Sequence, residues 1–297
     1  MSIKNVLVVH KSHSYQGAPC NGSVIDDAFF DEVVAVLKSE GVRVGFGADD
    51  AAAYDLAISL GGDGTILSAA ELLRGTSTPI YGINLGHVGF LAEGTPLNAL
   101  ENIRHLLNGE YSTQERRILK VQIAYADGTH AEDWAINEAA LEKAGVAGEY
   151  FGMLNARLEV DSVALSSYGC DGIIVSTPTG STAHTFSAGG PIIWPEVEAI
   201  VVVPVAAHAL FSRPIVLGSS SELKLYIDET AAGFATLMCD GRRAHKLPVG
   251  STLTLKQDAQ KLYFASVNRG SFTDILVQKF KLPVQGWKQS AAKSGRQ

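Results

Sequence analysis

The chain has few cysteines and no excess of basic residues, and each absence argues against a class of protein. Its three cysteines, Cys20, Cys170 and Cys239, lie far apart and form no CxxC motif or Cys/His pattern with metal-ligand spacing. The sequence therefore favours reduced thiols in a cytoplasmic protein over a disulfide framework or a zinc site. The net charge of −7 at pH 7 lacks the basic footprint that nucleic-acid binding needs, so we expect no nucleic-acid partner.

Long apolar runs are also missing. The longest near-apolar stretch, residues 199–211, is interrupted by Pro204 and His208 and falls short of the roughly 20 residues that a transmembrane helix needs. The apolar run at residues 6–9 is too short for the core of a signal peptide. We therefore expect no membrane partner, and 297 residues are enough for two domains or one large one.

The first third of the chain predicts a parallel α/β arrangement. Residues 4–10 and 55–60 are apolar runs without alternation, which is typical of strands covered on both faces. Between them, residues 24–39 carry apolar side chains at helical spacing, and Gly41 ends that period. This strand–helix–strand order favours a parallel sheet.

The pattern changes near residue 113, where short segments joined by turns replace the long apolar runs. Strands are predicted at residues 117–126, 131–142, 157–160, 173–176, 199–205, 223–227, 252–256 and 261–265. Residues 272–280 return to a helical period. We predict an α/β domain over residues 1–112 and 268–297, and a β-rich domain, arranged as a β-sandwich, over residues 113–267.

The strongest chemical signal is the segment Gly61-Gly62-Asp63-Gly64-Thr65, between a predicted strand and a predicted helix. Open α/β sheets bind ligands at the carboxyl ends of their strands, and a helix start offers N–H groups to phosphate. A tight turn with a capping aspartate is the alternative interpretation. The doubled glycine with a strand before it and a helix after it favours function. No P-loop or GxGxxG motif is present.

Two further segments carry weaker signals. Residues 171–183 predict an apolar strand that ends in a hydroxyl-rich turn and a short helix. Such a turn can bind ribose, amide or phosphate groups, but it is also ordinary turn chemistry, and the residues alone leave both interpretations open. Asn137 and Glu138 close an apolar segment, where polar pairs are more often simply solvated.

Taken together and in this order, the segments resemble the NAD kinase family. The similar stretches are GGDGT (61–65), GINLGHVGFLAE (82–93), NE (137–138), CDGIIVSTPTGSTA (170–183), SAGGPIIWP (187–195), HALFSRPIVL (208–217), CDGR (239–242) and KFKLPVQGW (279–287). The resemblance covers essentially the whole chain. GGDG alone is shared with lipid kinases and phosphofructokinase-like enzymes, whereas its combination with NE and TPTGSTA is specific.

The resemblance implies a transferase that moves a phosphoryl group from ATP, or from polyphosphate in some bacterial members, to the 2′-hydroxyl of the adenosine ribose of NAD, giving NADP. Asp63 would be the catalytic residue. The β-rich domain would bind NAD, and the implied NAD-binding residues are Asp63, Gly64, Asn137, Glu138, Asp171, Thr182, Ala183, His184 and Ser187. Mg²⁺ would screen the charge of the donor without a dedicated metal site on the protein. The family also implies a homodimer or homotetramer.

Three positions depart from the family pattern. His184 stands where members usually have a tyrosine, and Ser68 stands where many have an arginine. Gly169 occupies a position where some members have arginine, and a small residue there accompanies use of both NAD and NADH. Arg213 and Arg242 are candidates either for phosphate contacts or for surface ion pairs.

Two other functions share part of the pattern. A lipid kinase of the diacylglycerol type would carry GGDGT but would not require the NE or TPTGSTA segments. The sequence also lacks a basic amphipathic stretch of the kind that binds a membrane surface. A non-catalytic nucleotide sensor on the same fold would have little use for Asp63 among glycines.

Overall fold

A computed structural model describes residues 3–10, 27–47, 51–86, 89–144, 152–230, 233–267 and 270–284. The chain divides into two compact units, one formed by Met1–Gln114 with Leu262–Gln297 and the other by Glu115–Lys261. The polar loop that follows the first strand and the end of the KFKLPVQGW segment lie outside the described residues. None of the helices in the described part of the chain has the length and apolarity to cross a membrane.

The elements follow one another in this order: β1 (Asn5–His10), α1 (Asp27–Ser39), β2 (Arg43–Gly45), β3 (Leu56–Leu60), α2 (Asp63–Leu73), β4 (Ile80–Ile83), α3 (Ala99–Leu107), β5 (Ser112–Ala124), β6 (His130–Ala135), β7 (Glu138–Lys143), β8 (Leu154–Val160), β9 (Val163–Cys170), β10 (Gly172–Ser176), α4 (His184–Ser187), β11 (Ala199–Val205), β12 (Ile215–Gly218), β13 (Leu223–Thr230), β14 (Phe234–Cys239), β15 (Arg243–Pro248), β16 (Thr252–Ser266) and α5 (Phe272–Phe280). Short 3-10 turns occupy Ala51–Ala53 and Thr179–Thr182.

The first unit is built around a parallel sheet. Its strands lie in the order β2-β1-β3-β4, and the end of β16 pairs in parallel with β4, with Phe264 opposite Ile80. All five residues of β3 are buried, as expected of a central strand between two helical layers. The core combines apolar residues of β1, β3, α1 and α3, among them Val6, Leu37 and Ile103. The parallel α/β prediction is confirmed.

The second unit consists of two antiparallel sheets around a shared apolar core. One contains β13 between β16 and β8, with β9 outside β8, and includes the β5–β6 pair. The other has the order β12-β11-β10-β7-β14-β15. Side chains from both sheets, such as Leu158, Leu225, Val175 and Leu237, form one buried cluster, which is the packing of a β-sandwich.

Two of the strand predictions beyond residue 113 are wrong. Residues 131–142 were expected to form one strand, but β6 ends at Ala135 and β7 begins at Glu138. β6 pairs with β5 in one sheet while β7 pairs with β10 in the other, so the chain passes between sheets at Ile136–Asn137. Residues 252–256 and 261–265 were expected to be separate strands and instead belong to the continuous β16.

Candidate functional site

Asp63 begins α2 directly after the carboxyl end of buried β3. Gly61 has φ +154°, and a Cβ there would lie 2.2 Å from Thr65 Oγ1, so the turn requires glycine. The carbonyl of Gly62 accepts the N–H of Thr65 at 2.9 Å, which starts the helix. Asp63 is half-buried between two exposed glycines, Gly62 and Gly64. The sequence therefore places one carboxylate where the positive end of a helix dipole meets solvent.

The Asp63 carboxylate is held by the backbone of the loop after β4. Its Oδ2 accepts the N–H of Phe90 at 3.0 Å, and its Oδ1 accepts the N–H of Leu91 at 3.2 Å. Gly89 makes this approach possible, because a Cβ there would lie 2.2 Å from Asp63 Oδ1. Each carboxylate oxygen keeps a further lone pair, so Asp63 can still accept the hydrogen of a hydroxyl group.

The C-terminal helix α5 contacts this loop through aromatic rings. The ring of Phe90 lies 6.3 Å from that of Phe272 and 5.9 Å from that of Phe280, and the ammonium of Lys279 lies 5.8 Å from its centroid. A capping box between Ser271 and the first turn begins α5. The helix thus supports the loop whose N–H groups hold Asp63.

In the second unit, Asn137 and Glu138 lie where the chain leaves β6 and enters β7. Asn137 is half-buried and Glu138 is 6% exposed. Gly180 packs against the backbone of Asn137, since a Cβ on Gly180 would lie 2.1 Å from the Asn137 carbonyl oxygen. The pairing of Glu138 with Ser176 brings the NE pair beside the end of β10 and the turn that follows it.

Glu138 lies in an environment that disfavours its charge. Burial, and then the nearby Asp240 carboxylate, raise the pKa of Glu138 to about 8, against a smaller opposing effect of the His184 N–H, which donates to the carboxylate. Its Oε2 is buried and has no hydrogen-bond partner among the described residues. A buried carboxyl oxygen of this kind is suited to a ligand hydroxyl or amide.

The hydroxyl-rich turn after β10 divides into internal and outward-facing residues. The hydroxyls of Thr177 and Ser181 are buried and donate to the carbonyls of Ile136 and Pro178, at 2.5 and 2.6 Å. Thr182 Oγ1 similarly donates to the Thr179 carbonyl at 3.2 Å. These three hydroxyls help to shape the turn.

The outward-facing part of this segment is the end of the 3-10 turn and α4. His184 and Ser187 are exposed, and Ala183 is half-buried. Phe186 is 40% exposed on the same short helix. An exposed aromatic residue next to His184 is a candidate for ring stacking that the sequence pattern did not single out.

Asp171 lies apart from Asn137 and Glu138 within one chain. It precedes β10, whereas Glu138 pairs with Ser176 at the other end of that strand. Its Oδ1 lies 2.6 Å from the Nζ of Lys143. The structure therefore brings Glu138 and His184 together but does not bring Asp171 to them.

Ser68 and Gly169, two of the positions that depart from the family pattern, have defined local contacts. Ser68 Oγ donates to the Gly64 carbonyl at 3.2 Å, within α2. A Cβ on Gly169 would lie 3.1 Å from Asn155 Oδ1, so a larger side chain would require Asn155 to move. Arg213 and Arg242 are both exposed.

In the described part of the chain, no cluster of three or more His, Cys, Asp or Glu side chains could hold a metal ion.

Asp240 and Arg243 are functional candidates that the sequence reasoning missed. The Asp240 carboxylate accepts the backbone N–H groups of Ile136 and Asn137, and Arg243 bonds to Asp240. The sequence analysis noted the CDGR segment, which contains Asp240. Nothing local indicates that Asp240 contacts Asn137 and Ile136, which precede it by 103 and 104 positions.

Comparison with known proteins identifies the family. The model of the ATP-NAD kinase N-terminal domain matches residues 22–111, and that of the ATP-NAD kinase C-terminal domain matches residues 137–267. The chain is 46% identical over 237 residues to the NAD kinase of Leifsonia xyli subsp. xyli, covering 80% of this chain and 77% of the relative. It is 44% identical over 302 aligned positions to the NAD kinase of Bifidobacterium longum subsp. infantis, covering 98% and 86%.

Solved structures share the fold. The crystal structure of yeast NADH kinase complexed with NADH superposes with a TM-score of 0.84 at 21% identity, covering 96% of this chain and 90% of that one. The NAD kinase from Archaeoglobus fulgidus in complex with ATP superposes with a TM-score of 0.74 at 25% identity, covering 94% and 99%. With both domain models matched and identity above 40% to actinobacterial relatives over most of their length, the chain belongs to the ATP-NAD kinase family.

Proposed function

We propose that the protein phosphorylates NAD to NADP, moving the γ-phosphoryl group of ATP to the 2′-hydroxyl of the adenosine ribose. The observation that carries this proposal is the Asp63 carboxylate at the start of α2, held by the Phe90 and Leu91 N–H groups with lone pairs to spare. Membership of a family named for this activity, and relatives named NAD kinase, support it.

Asp63 orients the attacking hydroxyl. The ribose oxygen forms the new P–O bond while the bond to ADP breaks, and the hydroxyl proton passes to Asp63 or onward to water. Because the transition state of phosphoryl transfer is loose, accurate positioning contributes more than full deprotonation. A carboxylate tied at both oxygens to backbone N–H groups is well suited to positioning, since it cannot rotate freely.

The proposed NAD-binding residues, in addition to Asp63, are Gly64, Asn137, Glu138, Thr182, Ala183, His184 and Ser187. Glu138 contributes a buried carboxyl group with one oxygen available, and at neutral pH its raised pKa lets it donate a hydrogen bond. The Thr182 hydroxyl donates to the Thr179 carbonyl and keeps lone pairs that can accept a hydrogen bond from NAD. His184 and Ser187 contribute exposed side chains at the rim.

ATP is the proposed donor, supported by the ATP complex of the Archaeoglobus relative. Polyphosphate remains a second candidate, and a cytoplasmic location remains a prediction. Mg²⁺ is expected to arrive together with the phosphates of the donor. When bound, the ion would screen phosphate charge.

Asp171 is proposed to act on NAD bound by a second copy of the chain. Within one chain it lies at the opposite end of β10 from the NE pair, so a homodimer or homotetramer is the arrangement in which it can contribute. Light scattering of the purified protein tests this assembly, and an active monomer would contradict it.

The decisive experiment incubates the protein with Mg-ATP and NAD and measures NADP. Asp63→Asn should lower kcat about 10²–10⁴-fold, the range that a general base or orienting group contributes. Asp55→Asn is the matched control, because Asp55 Oδ2 also accepts two backbone N–H groups, from Lys4 and Asn5, but before β3 rather than after it. Absence of NADP with the unaltered protein contradicts the function, and full activity of Asp63→Asn contradicts the role of Asp63.

A further inference from the structure

The chain passes from β6 to β7 through Ile136 and Asn137, which belong to neither strand and which we call the step. All four backbone polar groups of these two residues are hydrogen-bonded. The N–H groups of Ile136 and Asn137 donate to Asp240 Oδ2 and Oδ1, at 3.1 and 2.7 Å. Their carbonyls accept from Thr177, whose Oγ1 lies 2.5 Å from the Ile136 oxygen and whose N–H lies 2.9 Å from the Asn137 oxygen. Two residues from distant parts of the chain thus fix this step completely.

Asp240 is itself fixed by its neighbours. Arg243 donates to Asp240 at 3.3 Å, to Asp133 at 2.8 Å and to the Trp134 carbonyl at 2.5 Å. His245 Nε2 lies 2.7 Å from the other oxygen of Asp133. The Asp240 backbone N–H donates to the Glu138 carbonyl at 2.9 Å. Asp240 therefore connects a charged network to the residues on both sides of the step.

We propose that Asp240, held by Arg243, is a positioning residue for NAD: it fixes the Ile136–Asn137 backbone so that the side chains of Asn137 and Glu138 meet the dinucleotide. This inference rests on the proposed NAD binding by these two residues. Asp240 is buried, and its carboxylate is bonded to two backbone N–H groups and to Arg243, so its role is to hold this backbone.

The chemistry of the position favours aspartate. Two backbone N–H groups and one guanidinium converge on its carboxylate, so all three contacts require an acceptor. An asparagine would present one acceptor and one NH₂ donor, and the donor would oppose an N–H group. Asparagine tolerates the φ of 54° at this position as aspartate does, so the substitution tests the acceptors and not the backbone.

Asp240→Asn is the test, with the affinity for NAD, the KM for ATP and amide exchange at Ile136 and Asn137 as readouts. We expect NAD to bind about 10–10²-fold more weakly, because small displacements of binding groups cost affinity and rate on this scale. The KM for ATP should change little, and exchange at the two amides should accelerate. Asp228→Asn is the matched control, since Asp228 also pairs with an arginine, Arg157, but is exposed on β13.

The outcomes separate this proposal from the proposed function. Unchanged NAD affinity in Asp240→Asn, or unchanged exchange at the two amides, overturns the positioning role, and so does an equal loss of affinity in Asp228→Asn. A protein that binds NAD but forms no NADP contradicts the function while the affinity comparison still decides the role of Asp240. If Asp240→Asn does not fold, Thr177→Val removes the contact with the Ile136 carbonyl instead and should weaken NAD binding in the same selective way.

Discussion

The two units use the same pairing, a carboxylate with two consecutive backbone N–H groups, in opposite directions. In the first unit the N–H groups of Phe90 and Leu91 hold the Asp63 side chain, which is the group proposed to act on the substrate. In the second unit the Asp240 side chain holds the N–H groups of Ile136 and Asn137, and the backbone is what is positioned. The first arrangement aims a side chain and the second aims a chain segment.

A glycine completes each arrangement, and the atoms it faces differ in freedom. Gly89 faces the oxygen of a side chain, Asp63 Oδ1, at 2.2 Å from the position of an added Cβ. Gly180 faces backbone, the carbonyl oxygen and Cα of Asn137, at 2.1 and 2.6 Å. The Asp63 side chain can be displaced by breaking its two hydrogen bonds, whereas a backbone paired at every polar group cannot move without disturbing the strands on either side. Damage in the first unit should therefore appear in activity, and damage in the second should appear in stability as well.

Gly180→Ala should have the largest effect. The added methyl must displace the Asn137 backbone from its bonds to Thr177 and Asp240, and overpacking of this kind costs about 1–3 kcal/mol or more. We expect a lower urea midpoint of unfolding together with loss of NAD binding. Gly218→Ala, where an added Cβ meets nothing within 4 Å, is the control in the same unit. Normal stability of Gly180→Ala would remove the contrast between the units.

Gly89→Ala should reduce kcat about 10²-fold while leaving stability nearly unchanged. The methyl group displaces the Asp63 carboxylate, which loses its two N–H donors and its orientation, and misplacement of about 1 Å costs on this order. Gly86→Ala is the control in the same loop, because its added Cβ meets nothing within 4 Å. A fall in the unfolding midpoint as large as that of Gly180→Ala would show that the loop, and not only Asp63, depends on Gly89.

Glu138→Gln should stabilise the protein, and more so as the pH rises. The pKa of Glu138 is raised from 4.5 to about 8, so between these values the folded state holds a proton that the unfolded state has lost. Stability then falls with rising pH, by at most about 1.4 kcal/mol per pH unit. Glutamine removes this dependence. Its advantage should be absent below pH 4.5, grow through the window and level off above about 8.

Urea unfolding at several pH values measures this difference, with Glu142→Gln, farther along β7, as the control. The groups facing Glu138 are the Asp240 carboxylate and the His184 N–H, with Arg243 and Asp133 behind Asp240. A pH-independent difference between Glu138→Gln and the unaltered protein would show that Glu138 ionises normally in the folded state.

The two units also differ in how far the sequence predicts them. The Asp63 turn was predicted because its determinants are adjacent: a buried strand, a glycine turn and a helix start within residues 56–73. The helix at residues 272–280 was predicted to its ends for the same local reason. The parallel strands were predicted from apolar runs without alternation and from the strand–helix–strand order.

The second unit depends on distant partners. The apolar pattern of residues 131–142 continues across Ile136, so nothing local reveals that the chain changes sheets there. The residues that stabilise the change, Thr177 and Asp240, are 41 and 104 positions away from Ile136. The separation of Asp171 from Glu138 depends equally on antiparallel register, because β7 and β10 run in opposite directions. Local periodicity predicts where the strands lie in the sequence, but it does not predict which residues of two paired strands lie next to each other.

His184→Tyr should produce the smallest change, a tightening of NAD binding about 2–10-fold without a change in stability. The His184 N–H that reaches Glu138 is backbone and survives the substitution, and the exposed side chain leaves room for a larger ring. A stacked aromatic pair contributes about 0.5–1.5 kcal/mol beyond area burial, which sets the size of the gain. Calorimetric titration with NAD measures it, and His130→Tyr, exposed at the far end of β6, is the control. Weaker binding would show that the histidine ring donates a hydrogen bond that tyrosine cannot replace. NAD binding would then depend on the exposed side chains of the second unit as strongly as on its backbone.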